Sequence, residues 1–280
     1  MSGKIALVLA ATLVVPLSAL ALSAVEGQWP KYPTAGVPRL PDGQPNMAAP
    51  APRMPDGRPD LSGLWDNPVR GGPNQKPPVA PPGSPPLAMF WNVGAGFEGN
   101  LPFTPWPADL RARRMAEDSK DNPDAHCLPM GFMQFHMHPQ PRQFVQTANL
   151  LLIIYEANYG LRKIYLDGRP APMNDPQPWW YGYSRGTWDG DTLVVETTNF
   201  RDGIWLDVNG SPLTDTGKVT ERFRRVNFGK MEIDVTVEDP KAYTRPWTVR
   251  VNHTLAVDQE LYEFICHENQ RFAPALGGNN

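Results

Sequence analysis

The chain has 280 residues, of which 26 are basic and 29 acidic, so its formal net charge is -3. Its one basic cluster, Arg111, Arg113 and Arg114, is too small for the many phosphate contacts that nucleic-acid binding needs. Charge therefore argues against nucleic acid as a partner. The hydrophobic content of 41% and the charged content of 20% are typical of a globular protein.

The first 24 residues have the pattern of an export signal. Lys4 is the only charged residue before Glu26, residues 5–15 are apolar except for Thr12, and small residues recur within positions 19–24. These are the three parts of a cleaved secretory signal peptide. We expect residues 1–24 to be removed, leaving no stable membrane span, and the mature protein to be periplasmic or secreted. The alternative is an uncleaved anchor, because the apolar stretch is just long enough to span a bilayer.

Export also changes the interpretation of the only two cysteines, Cys127 and Cys266. In an oxidising compartment an even pair of cysteines indicates a disulfide. The alternative is a pair of buried free thiols. We predict the disulfide.

Proline divides the mature chain into regions, since 20 of the 33 prolines fall between residues 30 and 107. We predict a Pro-rich arm at residues 25–60 and a single β-rich domain at 61–280, with a long irregular loop at 68–107. The arm repeats one motif, RLPDGQPN at 39–46 and RMPDGRPD at 53–60, and each copy contains a Pro-Asp-Gly turn signal. It either runs extended over the domain surface or is disordered.

One helix and a series of strands are predicted after the arm. Residues 107–118 favour a helix, with Pro107 suited to its first turn and Leu110 and Met115 facing the core. The predicted strands and hairpins are 61–65, 143–155, 161–166, the hairpin 183–198 turning at Asp189-Gly190, the hairpin 219–237, and a third hairpin 247–267 turning at Asp258-Gln259. Consecutive hairpins indicate a mainly β protein, an antiparallel meander forming a lipocalin-like barrel or a curled sandwich.

Two stretches carry a family resemblance, PDGRPDLSGLW at 55–65 and GYSRGTWDGDTLVVETTNF at 182–200. With TER at 220–222 and EDPKAY at 238–243, they resemble a family of exported bacterial β-rich proteins of unassigned function. The resemblance covers most of the mature chain and implies a secreted β-rich domain, but no catalytic residue. The stretch MQFHMH at 133–138 departs from the family pattern, so a site built there would be particular to this chain.

A looser likeness is to the lipocalins. Gly63-Leu64-Trp65 is similar to the Gly-x-Trp of their first strand, and a meander of hairpins follows it. This likeness concerns the fold and does not fix a function.

Histidines form the first set of candidate site residues. His136 and His138 lie two apart before a strand, and in an extended segment both would point to one side. Such a pair can offer two imidazoles to a divalent metal. His253 shares the inward apolar face of its strand with Val249 and Val251. The alternative is a surface pair and a hydrogen-bonded core histidine, and the sequence requires no cofactor.

Carboxylates inside predicted strands form the second set. Glu156 continues the apolar alternation of the strand before it, and Glu221 shares a face with Val219 and Phe223. A buried carboxylate is costly unless it is paired, and Arg162 is an available partner. One interpretation is a structural Arg–Glu pair. The other is acid–base chemistry by these glutamates beside His138 or His253.

Clustered aromatic residues form the third set. Trp179, Trp180 and Tyr183 lie within five residues, with Trp188 nearby, and the chain has nine tryptophans. Such clusters make flat walls for sugars, aromatics or polyenes. We predict that one of the adjacent tryptophans lines a pocket or packs under the Pro-rich arm, and that Trp188 packs in the core.

Three functions follow from these sets. The first is an exported protein that holds a small apolar or aromatic molecule in a barrel lined by Trp and Tyr. The second is a lyase, isomerase or hydrolase of the same fold that uses His and Glu, with or without a metal. The third is a structural or interaction protein of the envelope whose Pro-rich arm docks a partner. The oligomeric state stays open.

Overall fold

The computed structural model describes residues 33–69, 72, 75–173 and 178–266, and these belong to one compact unit. The expected export signal at 1–24, the first residues of the arm and the last residue of the predicted third hairpin lie outside the described residues. Within the described part of the chain, no helix is long and apolar enough to cross a membrane.

Nine of the eleven strands in the described residues close into a barrel, which confirms the predicted mainly β fold. The strands are β1 Gly63–Asp66, β2 Arg142–Gln146, β3 Leu150–Tyr155, β4 Leu161–Tyr165, β5 Tyr183–Asp189, β6 Thr192–Thr198, β7 Ile204–Trp205, β8 Pro212–Leu213, β9 Lys218–Asn227, β10 Lys230–Glu238 and β11 Trp247–Leu255. The order around the barrel is β1-β11-β10-β9-β6-β5-β4-β3-β2, and β7 and β8 form a separate two-stranded sheet. The β4–β5 pair is parallel, and the other barrel pairs are antiparallel.

The core lies inside the barrel because the strands alternate apolar and polar side chains. In β10, Met231, Ile233, Val235 and Val237 are all fully buried. Burying one such side chain contributes about 1.5–3 kcal/mol. The inward faces of neighbouring strands complete this core, so the period of two read from the sequence sets which side chains fill the barrel.

Two α-helices of the described part of the chain accompany the barrel. The first, α1, spans Pro105–Ala116 with prolines in its first turn, as predicted, but Met115 is 44% exposed, so its assignment to the core is wrong. The second, α2, spans Phe132–Met137, and all six of its residues are buried. The sequence pattern predicts no helix there. A six-residue helix buried on every side has no polar face, so it lacks the apolar periodicity that identifies surface helices.

Two strand predictions are wrong. Residues 143–155 form two strands, β2 and β3, joined by a turn in which the Thr147 hydroxyl accepts hydrogen bonds from the amides of Asn149 and Leu150. The third hairpin does not form, since residues 261–265 are not in a strand. The β11 edge that it would have used pairs with β1 instead, with Trp65 opposite Leu255, and this pairing closes the barrel.

The two copies of the arm motif form the same local structure. Arg39 donates to the carbonyl of Gly43 and reaches Asp258, and Arg53 donates to the carbonyl of Gly57 and to both carboxylate oxygens of Asp191. Each motif is therefore a closed loop whose arginine also contacts a carboxylate of the barrel domain, Asp258 after β11 for the first copy and Asp191 in the β5–β6 turn for the second. Between the two loops, carbonyls at 47 and 49 accept from the amides of the β9–β10 turn.

Cys127 and Cys266 are joined, with their Cα atoms 5.7 Å apart, so the predicted disulfide is confirmed and the free-thiol alternative is wrong. The bond links residues 139 apart in sequence and ties the last described residue to the loop after α1. The segment before Cys266 also packs on the β3–β4 connection, where the amides of Tyr262 and Phe264 donate to the Glu156 carboxylate and the Tyr159 hydroxyl.

Candidate functional site

Three predicted residues meet inside the barrel as a buried ionic cluster. Glu221 of β9 accepts hydrogen bonds from His136 of α2, with Nε2 and Oε1 2.8 Å apart, and from Arg162 of β4, with a guanidinium nitrogen 2.9 Å from Oε1. A second guanidinium nitrogen contacts the other carboxylate oxygen. All three side chains are at most 1% exposed. The inward register predicted for Glu221 is therefore confirmed.

Arg162 is satisfied on every nitrogen. Besides Glu221, its guanidinium donates to the Ser184 hydroxyl at 3.1 and 3.2 Å and to the Thr197 hydroxyl at 3.0 Å. Its plane lies over the ring of Phe132, 4.5 Å from the centroid. This is the geometry in which a buried ion pair is tolerated, because each charged group has fixed partners.

The charge state of this cluster follows from its packing. Burial raises the pKa of Glu221, but the Arg162 guanidinium and the His136 imidazole outweigh that effect and hold the pKa at about 2. Burial lowers the pKa of His136, which keeps its ring neutral, so Nε2–H donates to Glu221. A carboxyl with so low a pKa is a poor proton donor near neutral pH. These directions favour the structural interpretation of the Arg162–Glu221 pair.

His253 and His138 are also held neutral. The Nε2 of His253 donates to the carbonyl of His136 at 3.0 Å, and burial lowers the His253 pKa well below its usual value. His138 packs edge-on against Phe90, with ring centroids 4.8 Å apart. Burial, then the charge of Arg142, lowers the His138 pKa to about 3. Both imidazoles are therefore uncharged parts of the packed interior at neutral pH.

The extended conformation that the predicted metal site requires at His136 is wrong. His136 belongs to α2 and His138 is its C-cap, so the segment is helical where the prediction required it to be extended. Residues two apart on a helix point to different sides. Within the described residues, no group of three or more His, Cys, Asp or Glu side chains could hold a metal ion.

Glu156 lies apart from the cluster. It directly follows β3, and its carboxylate accepts from the amide of Tyr262 at 3.2 Å. Partial burial raises its pKa. The fully buried residues of β3 are Leu151, Ile153 and Tyr155, so the predicted inward register of Glu156 is wrong. Apolar residues occupy both faces of β3, and alternation alone could not orient it.

The predicted ligand-binding residues meet on the outer face of the barrel wall. Trp179, Trp180 and Tyr183 line a groove of about 350 Å³. We call this the β4–β5 groove; its lining is Leu161, Arg162, Lys163, Tyr165, Trp179, Trp180, Tyr181, Gly182, Tyr183 and Ser184. Arg162 and Ser184 also belong to the buried cluster, which therefore lies directly beneath the groove.

The groove exists because two parallel strands pair over only a short distance. β4 and β5 share two register pairs, Ile164 with Ser184 and Tyr165 with Arg185. The residues of β4 before Ile164 face the segment 179–182. That segment pairs instead with the chain just after β6, through a bridge between Trp179 and Phe200. Gly182, at φ +66°, makes this close approach feasible, since a Cβ there would lie 2.5 Å from a methyl group of Thr197.

Contacts between rings fix the positions of the aromatic side chains that line the groove. Tyr183 stacks on Tyr165 with centroids 5.2 Å apart, and Trp179 lies 6.3 Å from Tyr183. Trp180 is capped by the Arg201 guanidinium, 3.9 Å from its ring. Both adjacent tryptophans thus line the groove, while Trp188 packs partly buried against the core, as predicted.

The sequence pattern did not identify Lys163 and Tyr165 as groove residues, nor Arg201 as the cation that caps Trp180. The outward alternation of β4 places Leu161, Lys163 and Tyr165 on one face, and this signal was available. The contribution of Arg201 depends on how the chain returns along β6, which no local pattern shows.

No family model, curated protein or solved structure matches the chain. The case for function therefore depends on the geometry of the groove and the cluster. The resemblance to an exported β-rich family stays a prediction.

Proposed function

We propose that the protein is an exported binder of a small apolar or aromatic molecule, which it holds in the β4–β5 groove. The observation that carries this proposal is the meeting of Trp179, Trp180 and Tyr183 around one concave space of about 350 Å³. That volume lies in the range of small-molecule sites, about 300–1,000 Å³. Trp179 keeps 47% of its surface exposed there, which is a large apolar area available for contact.

The ligand lies on the wall of the barrel, whereas the sequence placed it inside. The interior of the described barrel is filled by large side chains, including Trp65, Phe144 and Phe223, and by the six buried residues of α2. Interiors of this kind are close-packed and leave little room for a ligand. The groove is the place where the predicted aromatic residues and an open volume coincide.

The enzyme alternative has weaker support. Among the described residues that line the groove, there is no Asp, Glu or His. His136 and Glu221 hydrogen-bond each other inside the barrel, and His253 bonds a backbone carbonyl. The predicted acid–base chemistry by His and Glu requires one of these groups within hydrogen-bond reach of the substrate. The described lining of the groove consists instead of aromatic and aliphatic side chains, one lysine, the paired Arg162 and the Ser184 hydroxyl.

Export is supported by the disulfide between Cys127 and Cys266. Disulfides persist in oxidising compartments and are rare in reducing ones. The described part of the arm docks on the barrel of its own chain through Arg39 and Arg53, which supports a structural role for it.

The first test compares two tryptophans of equal exposure. Trp179, in the groove, is 47% exposed, and Trp106, on α1, is 46% exposed. We expect Trp179→Ala to weaken binding of the fluorescent probe N-phenyl-1-naphthylamine about tenfold, because one aromatic wall contributes about 1–1.5 kcal/mol. Trp106→Ala should leave the dissociation constant unchanged within about twofold. Equal losses in both variants, or no saturable binding to the wild type, would contradict the proposed function.

A further inference from the structure

The β4–β5 groove has cations at its aromatic rings and no described acidic residue in its lining. Lys163 belongs to the lining, is exposed, and has no ion-pair partner among the described residues. Arg201 lies over Trp180, 3.9 Å from the ring, and Arg169 lies over Tyr165 at 4.0 Å. We infer that the groove selects aromatic anions, that is, flat ring systems carrying a carboxylate or a similar acidic group; this inference rests on the proposed function.

The four cations in and around the groove differ in how far neighbouring carboxylates neutralise them. Arg169 is paired with Asp167, its nitrogen 2.6 Å from the carboxylate oxygen. The positive charge beneath the groove, on Arg162, is balanced by Glu221. Lys163 and Arg201 have no such partner within the described part of the chain, so they supply the attraction for a negative group.

Aromatic clusters also bind cations, and the arrangement of charges decides against that here. A cage for an ammonium group needs open ring faces and surroundings that are neutral or acidic. The Arg201 guanidinium already covers one face of Trp180, and Arg169 covers Tyr165. A cationic ligand would meet these like charges, together with Lys163, at the sites where it would have to stack.

A ligand that meets both features lays its ring against the wall that Trp179 and Tyr183 form together and places its acidic group at Lys163. Those two rings are 6.3 Å apart, centroid to centroid, at an angle of 59°. The rings supply the larger part of the affinity, and the charge supplies the discrimination between ligands. The ion pair between Lys163 and the acidic group of the ligand is partly exposed to solvent, so its contribution to the affinity should fall as salt is added.

The test uses three probes with one ring system and different charges: 2-naphthoate, 2-naphthylmethanol and (2-naphthylmethyl)trimethylammonium. We expect calorimetric titration of the mature protein to show 2-naphthoate binding about tenfold more tightly than the neutral alcohol, with the cation weakest. Lys163→Gln and Arg201→Gln should each weaken 2-naphthoate about threefold to tenfold and leave the alcohol within twofold. Lys230→Gln removes a positive charge that is paired with Glu232 on the same strand, β10, and lies outside the groove lining; it is the matched control and should change neither.

The outcomes separate this inference from the proposed function. If the alcohol binds as tightly as 2-naphthoate, and Trp179→Ala weakens both, the groove binds aromatics without selecting charge and the inference is overturned. Tighter binding of the cation would overturn it as well. If none of the three probes binds, the proposed function itself fails.

Discussion

Glu221→Gln is expected to lower the free energy of unfolding by about 3–5 kcal/mol, although it changes a single atom of a side chain that no solvent reaches. The substitution removes the negative charge that balances Arg162 inside the barrel, and an uncompensated buried charge costs about this much. Because both side chains are at most 1% exposed, water cannot replace the lost partner. For a domain of this size the loss corresponds to a decrease in Tm of roughly 6–20 °C.

Glu196→Gln provides the matched control. Glu196 pairs with Lys218 at 2.9 Å and is 45% exposed, so the same chemical change on the barrel surface should cost less than about 1 kcal/mol. Urea unfolding of the two variants beside the wild type measures the difference. A loss for Glu221→Gln as small as that of the control would show that Glu221 does not compensate the charge of Arg162.

Acidification from pH 6.5 towards pH 4 is expected to destabilise the protein by several kcal/mol. Burial lowers the pKa of His136 and of His253, and it lowers that of His138 to about 3. Below the unfolded pKa of about 6.5, the unfolded state takes up protons that the folded state does not, so stability falls with pH. Each such histidine contributes a slope of up to about 1.4 kcal/mol per pH unit.

Carboxylates modify this profile at its acidic end. Burial raises the pKa of Asp207 and Asp124, so these carboxylates take up protons at a higher pH in the folded state than in the unfolded state. This proton uptake stabilises the folded state as the pH approaches the aspartate pKa values, and it opposes the destabilisation by the histidines. Glu221 acts in the other direction, because its pKa of about 2 makes stability fall further below pH 4.5. The histidine slope should therefore reach nearly its full value about one pH unit below the unfolded pKa of about 6.5, and it should weaken again where the buried aspartates take up protons.

Urea titrations at pH 7.5, 6.5, 5.5 and 4.5 measure the slope. His253→Gln keeps a donor for the His136 carbonyl and removes one buried titrating group, so it should reduce the slope by up to about 1.4 kcal/mol per pH unit. His126→Gln, on the exposed surface, is the control and should leave the slope unchanged. A wild-type free energy of unfolding that stays constant from pH 6.5 to 4.5 would contradict neutral buried histidines.

The barrel was predictable wherever one face of a strand is apolar and the other polar. In β9 and β10 this pattern predicted both the hairpin and the inward position of Glu221. It failed in β3, where both faces are apolar and the placement of Glu156 came out reversed. It also failed at α2, because a short helix buried on every side shows no period.

The site residues divide in the same way. Trp179, Trp180 and Tyr183 are close in sequence, so their clustering could be predicted from their spacing along the chain. The parallel β4–β5 junction that opens the groove is a long-range pairing, and hairpin reasoning assumes antiparallel neighbours. His136 was predicted as a metal ligand in an extended segment, but its bond to Glu221 spans 85 residues and depends on the position of α2.

The central claim is that the β4–β5 groove is the binding site, and photolabelling with 4-benzoylbenzoate, an aromatic carboxylate that crosslinks on illumination, tests it most directly. Peptide mass spectrometry of the labelled mature protein locates the crosslinks without assuming a site. We predict saturable labelling in residues 161–165 and 179–183, suppressed by excess 2-naphthoate and reduced in Trp179→Ala. Saturable labelling confined to other segments, or labelling that 2-naphthoate does not suppress, would contradict the claim.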